Sequence, residues 1–243
     1  KKFNNLILIT LNHNNIKKNN KYNFHKKWYN SKYWLIMLLE NFINFLDKNY
    51  HHKRIIKFLK KYQIDLFIDI GAHKGEFLLN LVSDIKFKKA YTFEPQEDIF
   101  EILKNNLIND KRIIHNNFAL SNTNDKKQIN INKLTSTSSL SNLNRDSLFL
   151  KFKNLLLKQK NEKLKTYEVK TSTLDNYFEK LNLENSLIKI DVEGYELNVL
   201  NGSKNIINKI NFILIENHFF NIYENNNNNE CHDFLVKNNF KLI

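Results

Sequence analysis

The chain has 243 residues and a formal net charge of +13, enough length to bury one full α/β core with an N-terminal extension. The charge raises a nucleic-acid partner, but only Arg54, Arg112 and Arg145 are arginines, so the guanidinium forks that read bases and phosphates are nearly absent. The excess reads as a drift toward lysine and asparagine, as in Asn225 to Asn229, and a nucleic-acid partner is disfavoured, though an RNA-modifying protein is kept as the alternative.

Leu6 to Ile9 reads as a strand or a crossing tail, and 12–23 as a linker. From Phe24 to Lys61 the pattern turns helical. Leu35, Leu38, Leu39, Phe42, Phe45 and Leu46 share one face, and Ile55, Ile56, Phe58 and Leu59 form a second short helix. Residues 1–62 are thus expected to be a tail and a helical lid; a helix lying on a membrane surface, anchored by Trp28 and Trp34, is the other reading. No apolar run reaches the ~20 residues a span needs, and no signal peptide is visible. The single cysteine, Cys231, excludes an intrachain disulfide. A cytoplasmic protein is the default. The chain opens on Lys1 rather than methionine and reads as a fragment.

From residue 63 onward, strands and helices alternate. Leu66–Ile70 is a strand, Glu76–Ile85 a helix, Ala90–Glu94 a strand, Gln96–Leu107 a helix with Pro95 suited to its first turn, and Arg112–Asn116 a strand. Residues 122–170 read as an insertion holding a possible strand at Gln128–Leu134, a charged helix at Leu148–Lys165 and a short strand at Tyr167–Lys170. The alternation then resumes with a helix at Thr173–Leu183, a strand at Leu187–Asp191 and a helix at Tyr195–Asn201, which Gly202 closes as its C′ residue. A strand at Phe212–Glu216, a helix near Glu230–Asn238 and a strand start at Phe240–Ile243 complete the chain. Alternation of this kind predicts a mostly parallel α/β sheet with helices on both faces.

Ligands of such sheets bind beyond the carboxyl ends of the strands. Four acids close strands there: Asp69, Glu94, Asp191 and Glu216. Two of the chain's four glycines, Gly71 and Gly75, stand in the turn after the first strand, where a side chain would collide with a ligand or demand a strained backbone. A carboxylate at Glu94 suits the two hydroxyls of a ribose. The dinucleotide fingerprint is absent, and Asp69 would repel a diphosphate while suiting an ammonium. The residues favour S-adenosyl-L-methionine over a dinucleotide.

One ordered set of segments carries a resemblance. Asp69-Ile70-Gly71-Ala72-His73-Lys74-Gly75, Phe93-Glu94-Pro95, Ala119-Leu120-Ser121, Ser138-Ser139-Leu140, Thr173-Leu174-Asp175-Asn176-Tyr177 and Lys189-Ile190-Asp191-Val192-Glu193-Gly194-Tyr195-Glu196 together resemble the FkbM family of S-adenosylmethionine-dependent methyltransferases, over roughly Ile55 to Tyr223. The resemblance implies the class I methyltransferase fold and O-methylation, often of sugar or polyketide hydroxyls. It implies that Asp69, Gly71, Ala72 and Gly75 cradle the methionine end, that Glu94 and Pro95 meet the ribose, and that Asn117, Ala119 and Leu120 border the adenine. Ser138 and Ser139 belong to a loop expected over the cofactor. His73 stands where the family usually has asparagine. The family's sheet ends in a hairpin, of which this chain shows only one strand, so its last strand is either replaced or missing.

Methyl transfer to a hydroxyl gains from dry, aligned surroundings and from a base that takes the proton. Asp191 and Glu193 are candidates for base or orienter, or else for capping the next helix or bonding the loop backbone. His218, between Asn217 and two phenylalanines, is a second base candidate. Lys189 pairs with one of the acids or holds the acceptor. Asp191, Glu193, Glu216 and His218 also have the chemistry to hold Mg²⁺, but their spacing does not ask for it and no metal is assigned. The acceptor is expected to be a small molecule or glycan.

Overall fold

The computed structural model describes residues 6–11, 52–132, 139–141, 163–217 and 228–242. The helical face at Leu35–Leu46 and the base candidate His218 lie outside the described residues. The elements are β1 (Leu6–Leu11), α1 (His52–Leu59), β2 (Leu66–Ile70), α2 (Glu76–Val82), β3 (Lys89–Phe93), α3 (Glu97–Leu107), β4 (Ile113–Asn116), β5 (Ala119–Leu120), β6 (Lys126–Asn132), β7 (Lys163–Ser172), α4 (Leu174–Phe178), β8 (Ser186–Ile190), α5 (Glu196–Asn201), β9 (Phe212–Asn217), α6 (Asn228–Lys237) and β10 (Lys241–Leu242).

Seven strands form one sheet in the order β10-β1-β9-β8-β2-β3-β4, and every neighbouring pair runs parallel. The parallel α/β architecture expected from the alternation is therefore present. Residues of successive parity feed two cores. Ile68, Ile70, Tyr91, Phe93, Ile188, Ile190, Ile213 and Ile215 pack on one face with Phe178, Val199, Leu200 and Leu235. Phe67, Ala90, Ile113, Leu187 and Leu214 pack on the other with Leu59, Phe77, Leu78, Leu81, Leu103 and Leu107. Strands buried on both faces need apolar residues at every position, which is why they read as continuous runs.

β1 lies between β9 and β10, with Leu6 opposite both Phe212 and Lys241. α6 carries the chain from β9 to a β10 that does not touch β9, and an N-terminal strand running parallel to both fills the slot.

β5, β6 and β7 form a second, three-stranded sheet in the order β5-β7-β6, with β6 and most of β7 drawn from the 122–170 region. β6 and β7 are antiparallel with Ile129 opposite Tyr167, and Ala119, Ile129 and Val169 form their small core. The short strand expected at Tyr167–Lys170 is part of a ten-residue strand that includes Lys163–Lys165, so the charged helix does not extend there. Other boundaries also differ. Pro95 precedes the N-cap Gln96 instead of lying in the first turn of α3. α4 ends at Phe178, with Thr173 as a cap that accepts from the Asn176 N–H at 3.0 Å.

Gly202 has φ −84° and is not the left-handed C′ residue expected; a β-carbon there would strike the Ser121 carbonyl oxygen. Close approach, not handedness, requires that glycine. No helix among the described residues is long and apolar enough to cross a membrane.

Candidate active site

The turn after β2 is held by the chain itself. Gly71 (φ +77°) and Gly75 (φ +79°) are left-handed. A β-carbon on Gly71 would collide with the Asp191 carbonyl oxygen, and one on Gly75 would sit 2.8 Å from Leu103 and 2.9 Å from Leu107. Both glycines are thus demanded by backbone conformation and by neighbouring elements. His73 is also left-handed, at φ +50°, a region where asparagine and histidine are the better-tolerated side-chain-bearing residues. That accounts for histidine standing in the family's asparagine position.

The amides of this turn are already engaged. The N–H groups of Gly71 and Ala72 both donate to the Phe93 carbonyl at 3.0 Å, and that of Gly75 donates to the Ala72 carbonyl at 2.8 Å. The His73 N–H donates to Glu94 Oε2 at 3.0 Å. A diphosphate cradle needs such groups free and pointed at the anion. Here they serve the fold, and two buried carboxyls, Asp69 and Glu94, stand where an anion would come.

Glu94 is 3% exposed. Its Oε1 accepts from the Gln96 N–H at 2.8 Å, and burial pushes its carboxyl up to about 7 against the pull of those N–H donors. Asp69, on β2, has no exposure, and neither carboxyl oxygen has a hydrogen-bond partner among the described residues. Burial raises its pKa, opposed by the charge of Lys189. A carboxyl without donors is expensive to hold in a protein interior. The cation that meets it is the Lys189 ammonium, 3.5 Å from Oδ1, and an acid at this turn disfavours a diphosphate.

Lys189 is the register partner of Asp69 on the adjacent strand. Its ammonium lies 3.5 Å from Asp69 Oδ1 and 2.8 Å from Asp191 Oδ2, with the Phe77 ring 5.6 Å away. It joins the two acids instead of choosing one. Asp191 follows β8, and its side chain remains 30% exposed.

Beyond Asp191 the chain passes through Glu193 (φ +57°) and Gly194 (φ +87°). Glu196 bonds this loop's backbone amides: its Oε1 accepts from the Val192 N–H at 3.3 Å and the Gly194 N–H at 3.1 Å. Its place at the start of α5, two residues after a glycine, was the available cue for that role. Ser139 is buried, and its hydroxyl donates to the Val192 carbonyl at 3.2 Å. Ser141, not singled out by its sequence, donates to the Gly194 carbonyl at 2.7 Å.

On the far side, Asn117 donates from Nδ2 to the Glu94 carbonyl at 3.0 Å. Ala119 is buried in β5 beside Ser172 and Thr171 of β7. Tyr177 donates its hydroxyl to Asn116 Oδ1 at 2.7 Å and packs against Phe93 and Phe118. Asp175, from the same motif, accepts from the Asn205 and Ile206 N–H groups. Tyr167, half-buried on β7, has the Glu97 backbone as partner. Its phenol pKa is raised by burial first and then by the Glu94 and Asp98 carboxylates, which brings β7 to the Glu94 side.

The structure therefore gathers Asp69, Gly71, Ala72, Glu94, Lys189 and Asp191 at the carboxyl ends of β2, β3 and β8. Ser139 touches the Asp191 loop. Gly75 and Ala119 face protein on their own sides. Among the described residues no group of three or more His, Cys, Asp or Glu is placed to hold a metal ion.

The Methyltransferase FkbM domain model matches residues 69–242. A crystal structure of methyltransferase FkbM from Methylobacillus flagellatus KT at 2.20 Å resolution is similar over 59% of this chain and 30% of that one, at 19% identity and a TM-score of 0.36. The match thus spans under a third of that protein's length. No curated protein matches the chain. With the family model covering most of the chain from the end of β2 to β10, the chain belongs to the FkbM methyltransferase domain family.

Proposed function

We propose that the chain is an S-adenosyl-L-methionine-dependent O-methyltransferase whose acceptor is a hydroxyl of a sugar, glycan or glycolipid. The observation that carries this reading is the turn after β2. The amides of Gly71, Ala72, His73 and Gly75 are engaged by the chain, and beside them stand the buried Asp69, paired with Lys189, and the buried Glu94. Such a crevice favours an adenosine that carries an ammonium and disfavours one that carries a diphosphate. In this reading residues 63–243 form most of the donor-binding domain, with an insertion at 122–170, Leu6–Leu11 adds a strand to its sheet, and residues 12–62 are a linker and lid.

Asp69, Gly71 and Ala72 border the methionine end, Glu94 and Pro95 the ribose, and Asn117 the adenine side. When bound, the cofactor supplies an electrophilic methyl group on a sulfonium. Glu94 accepts the ribose hydroxyls with the lone pairs not used by His73 and Gln96. Asp191 is paired with Lys189 at 2.8 Å. It orients the acceptor hydroxyl by accepting its hydrogen bond, and Lys189 fixes the carboxylate that does so. Glu193 and His218 remain the candidates for taking the proton. Alignment of this kind is worth several of the ~7–11 kcal/mol available from proximity.

The test pairs calorimetry with a methyl-transfer assay on a panel of glycans. Glu94→Ala is expected to abolish measurable binding of S-adenosyl-L-methionine, with Asp191→Asn binding it normally and turning over slowly. Undiminished affinity in Glu94→Ala overturns the reading.

A further inference from the structure

The loop that carries Asp191 and Glu193 has both sets of its backbone polar groups taken from outside. Glu196 holds the amides of Val192 and Gly194. Ser139 and Ser141 hold the carbonyls of the same two residues. Glu193, at φ +57° between them, is therefore gripped on either side in a conformation that an acidic residue seldom adopts unaided.

The two serines are themselves fixed. The Ser141 N–H donates to Ser139 Oγ at 2.9 Å. The Ser139 and Asn130 backbones exchange hydrogen bonds of 2.8 and 3.1 Å in an antiparallel bridge to β6. Asn130 Nδ2 donates to the Ser141 carbonyl at 3.3 Å. Ser139, Ser141 and Asn130 are all under 9% exposed.

A second tie joins the same sheet to the same loop. Lys127 of β6 donates to the Tyr195 hydroxyl at 2.9 Å, and the Ser121 hydroxyl lies 3.1 Å from that oxygen. Lys127 of the small sheet, and Ser139 and Ser141 of the segment bridged to it, thus hold the 192–195 loop, and none of them belongs to the main sheet that carries Asp69 and Lys189.

We propose that Ser139 and Ser141 are positioning residues: the 139–141 segment clamps the 192–194 loop and so sets where Asp191 and Glu193 stand. This rests on the methyl-transfer reading for its consequence, but the clamp itself is a property of the chain. It also gives Ser139 a different task from cofactor contact. A hydroxyl donating to the Val192 carbonyl holds a loop, and its loss changes turnover more than donor affinity. Displacing a reacting group by about 1 Å is enough to cost roughly 100-fold in rate.

Two measurements on the full chain decide it. The first is amide hydrogen exchange of the 192–195 loop in Ser139→Ala, Ser141→Ala and Ser141→Cys, the last keeping the size of the side chain with a poorer donor. Exchange of this loop is expected to quicken about ten-fold with one clamp bond removed, while the amides of β2 and β8 keep wild-type protection. Wild-type exchange of the loop in both Ser141 variants overturns the clamp. The second is methyl transfer set against S-adenosyl-L-methionine affinity. The expected result is a kcat lowered by about 10- to 100-fold with donor affinity within two-fold (about 0.4 kcal/mol) of wild type. A Ser139→Ala variant that loses donor affinity with kcat intact overturns the positioning role and returns Ser139 to the cofactor. A wild-type chain without methyl transfer overturns the functional reading instead, and the exchange result then judges the clamp by itself.

Discussion

Asp69 and Lys189 are register partners on adjacent parallel strands, and the Lys189 ammonium stands 3.5 Å from an Asp69 carboxyl with no exposure at all. Removing one member of a buried pair leaves the other charge uncompensated, at a cost of about 3–5 kcal/mol. Lys189→Met is therefore expected to lose about that much stability in urea denaturation, and the double variant Asp69→Asn/Lys189→Met to recover most of it. A double-mutant cycle without coupling would show the pair to be incidental.

Glu94 carries a pH dependence. Its carboxyl is raised from 4.5 to about 7 by burial, so the folded state favours the protonated form. The stabilisation this brings is complete below about pH 4.5 and is lost as pH rises through 7, an effect of about 3 kcal/mol across that window. Donor binding runs the other way, because a ribose hydroxyl donates best to the ionised carboxylate. Affinity for S-adenosyl-L-methionine is expected to rise up to ten-fold per pH unit toward 7 and to level above it, and Glu94→Gln to flatten the curve. Calorimetry from pH 5.5 to 8.5 reads both.

The glycines separate by what their β-carbon would meet. In Gly71→Ala the new carbon drives into the Asp191 carbonyl at a left-handed position, and the variant is expected to lose more than about 3 kcal/mol. Gly75→Ala meets side-chain ends of Leu103 and Leu107 rather than backbone, so a smaller loss is expected, with backbone strain of about 1–2 kcal/mol as its main part. Denaturant midpoints of the two variants test the order.

Glu196 holds two loop amides at once. Glu196→Ala is expected to cost about 1–3 kcal/mol for the donors left unsatisfied, and Glu196→Gln less than half as much, since its amide oxygen still accepts. Thermal melts of the two variants compare them directly.

β1 fills the slot between β9 and β10. Deleting residues 1–11 opens the edge of β9, a ready template for pairing with another chain. The deleted protein is expected to elute on size-exclusion chromatography as a larger assembly than the full chain, and a deletion variant no larger than the full chain would contradict that placement.

Much of the main sheet was legible along the chain because its cause is local. A strand buried on both faces must be apolar at each position, as Leu66–Ile70 and Ser186–Ile190 nearly are, and a glycine turn between strand and helix marks itself. The acids at Asp69, Glu94 and Asp191 stood out for the same reason, being charges set against apolar runs.

What the chain's order could not reveal depends on partners far away in sequence. β1 joins β9 across some two hundred residues, and nothing in Leu6–Leu11 names that neighbour. Gly202 looked like a helix stop, yet the Ser121 carbonyl forbids its side chain. Three acids near residue 193 were chemically alike on paper. Only packing assigned Asp191 to Lys189 and Glu196 to the loop amides, because a carboxylate's role follows from which donors the fold brings within hydrogen-bonding reach.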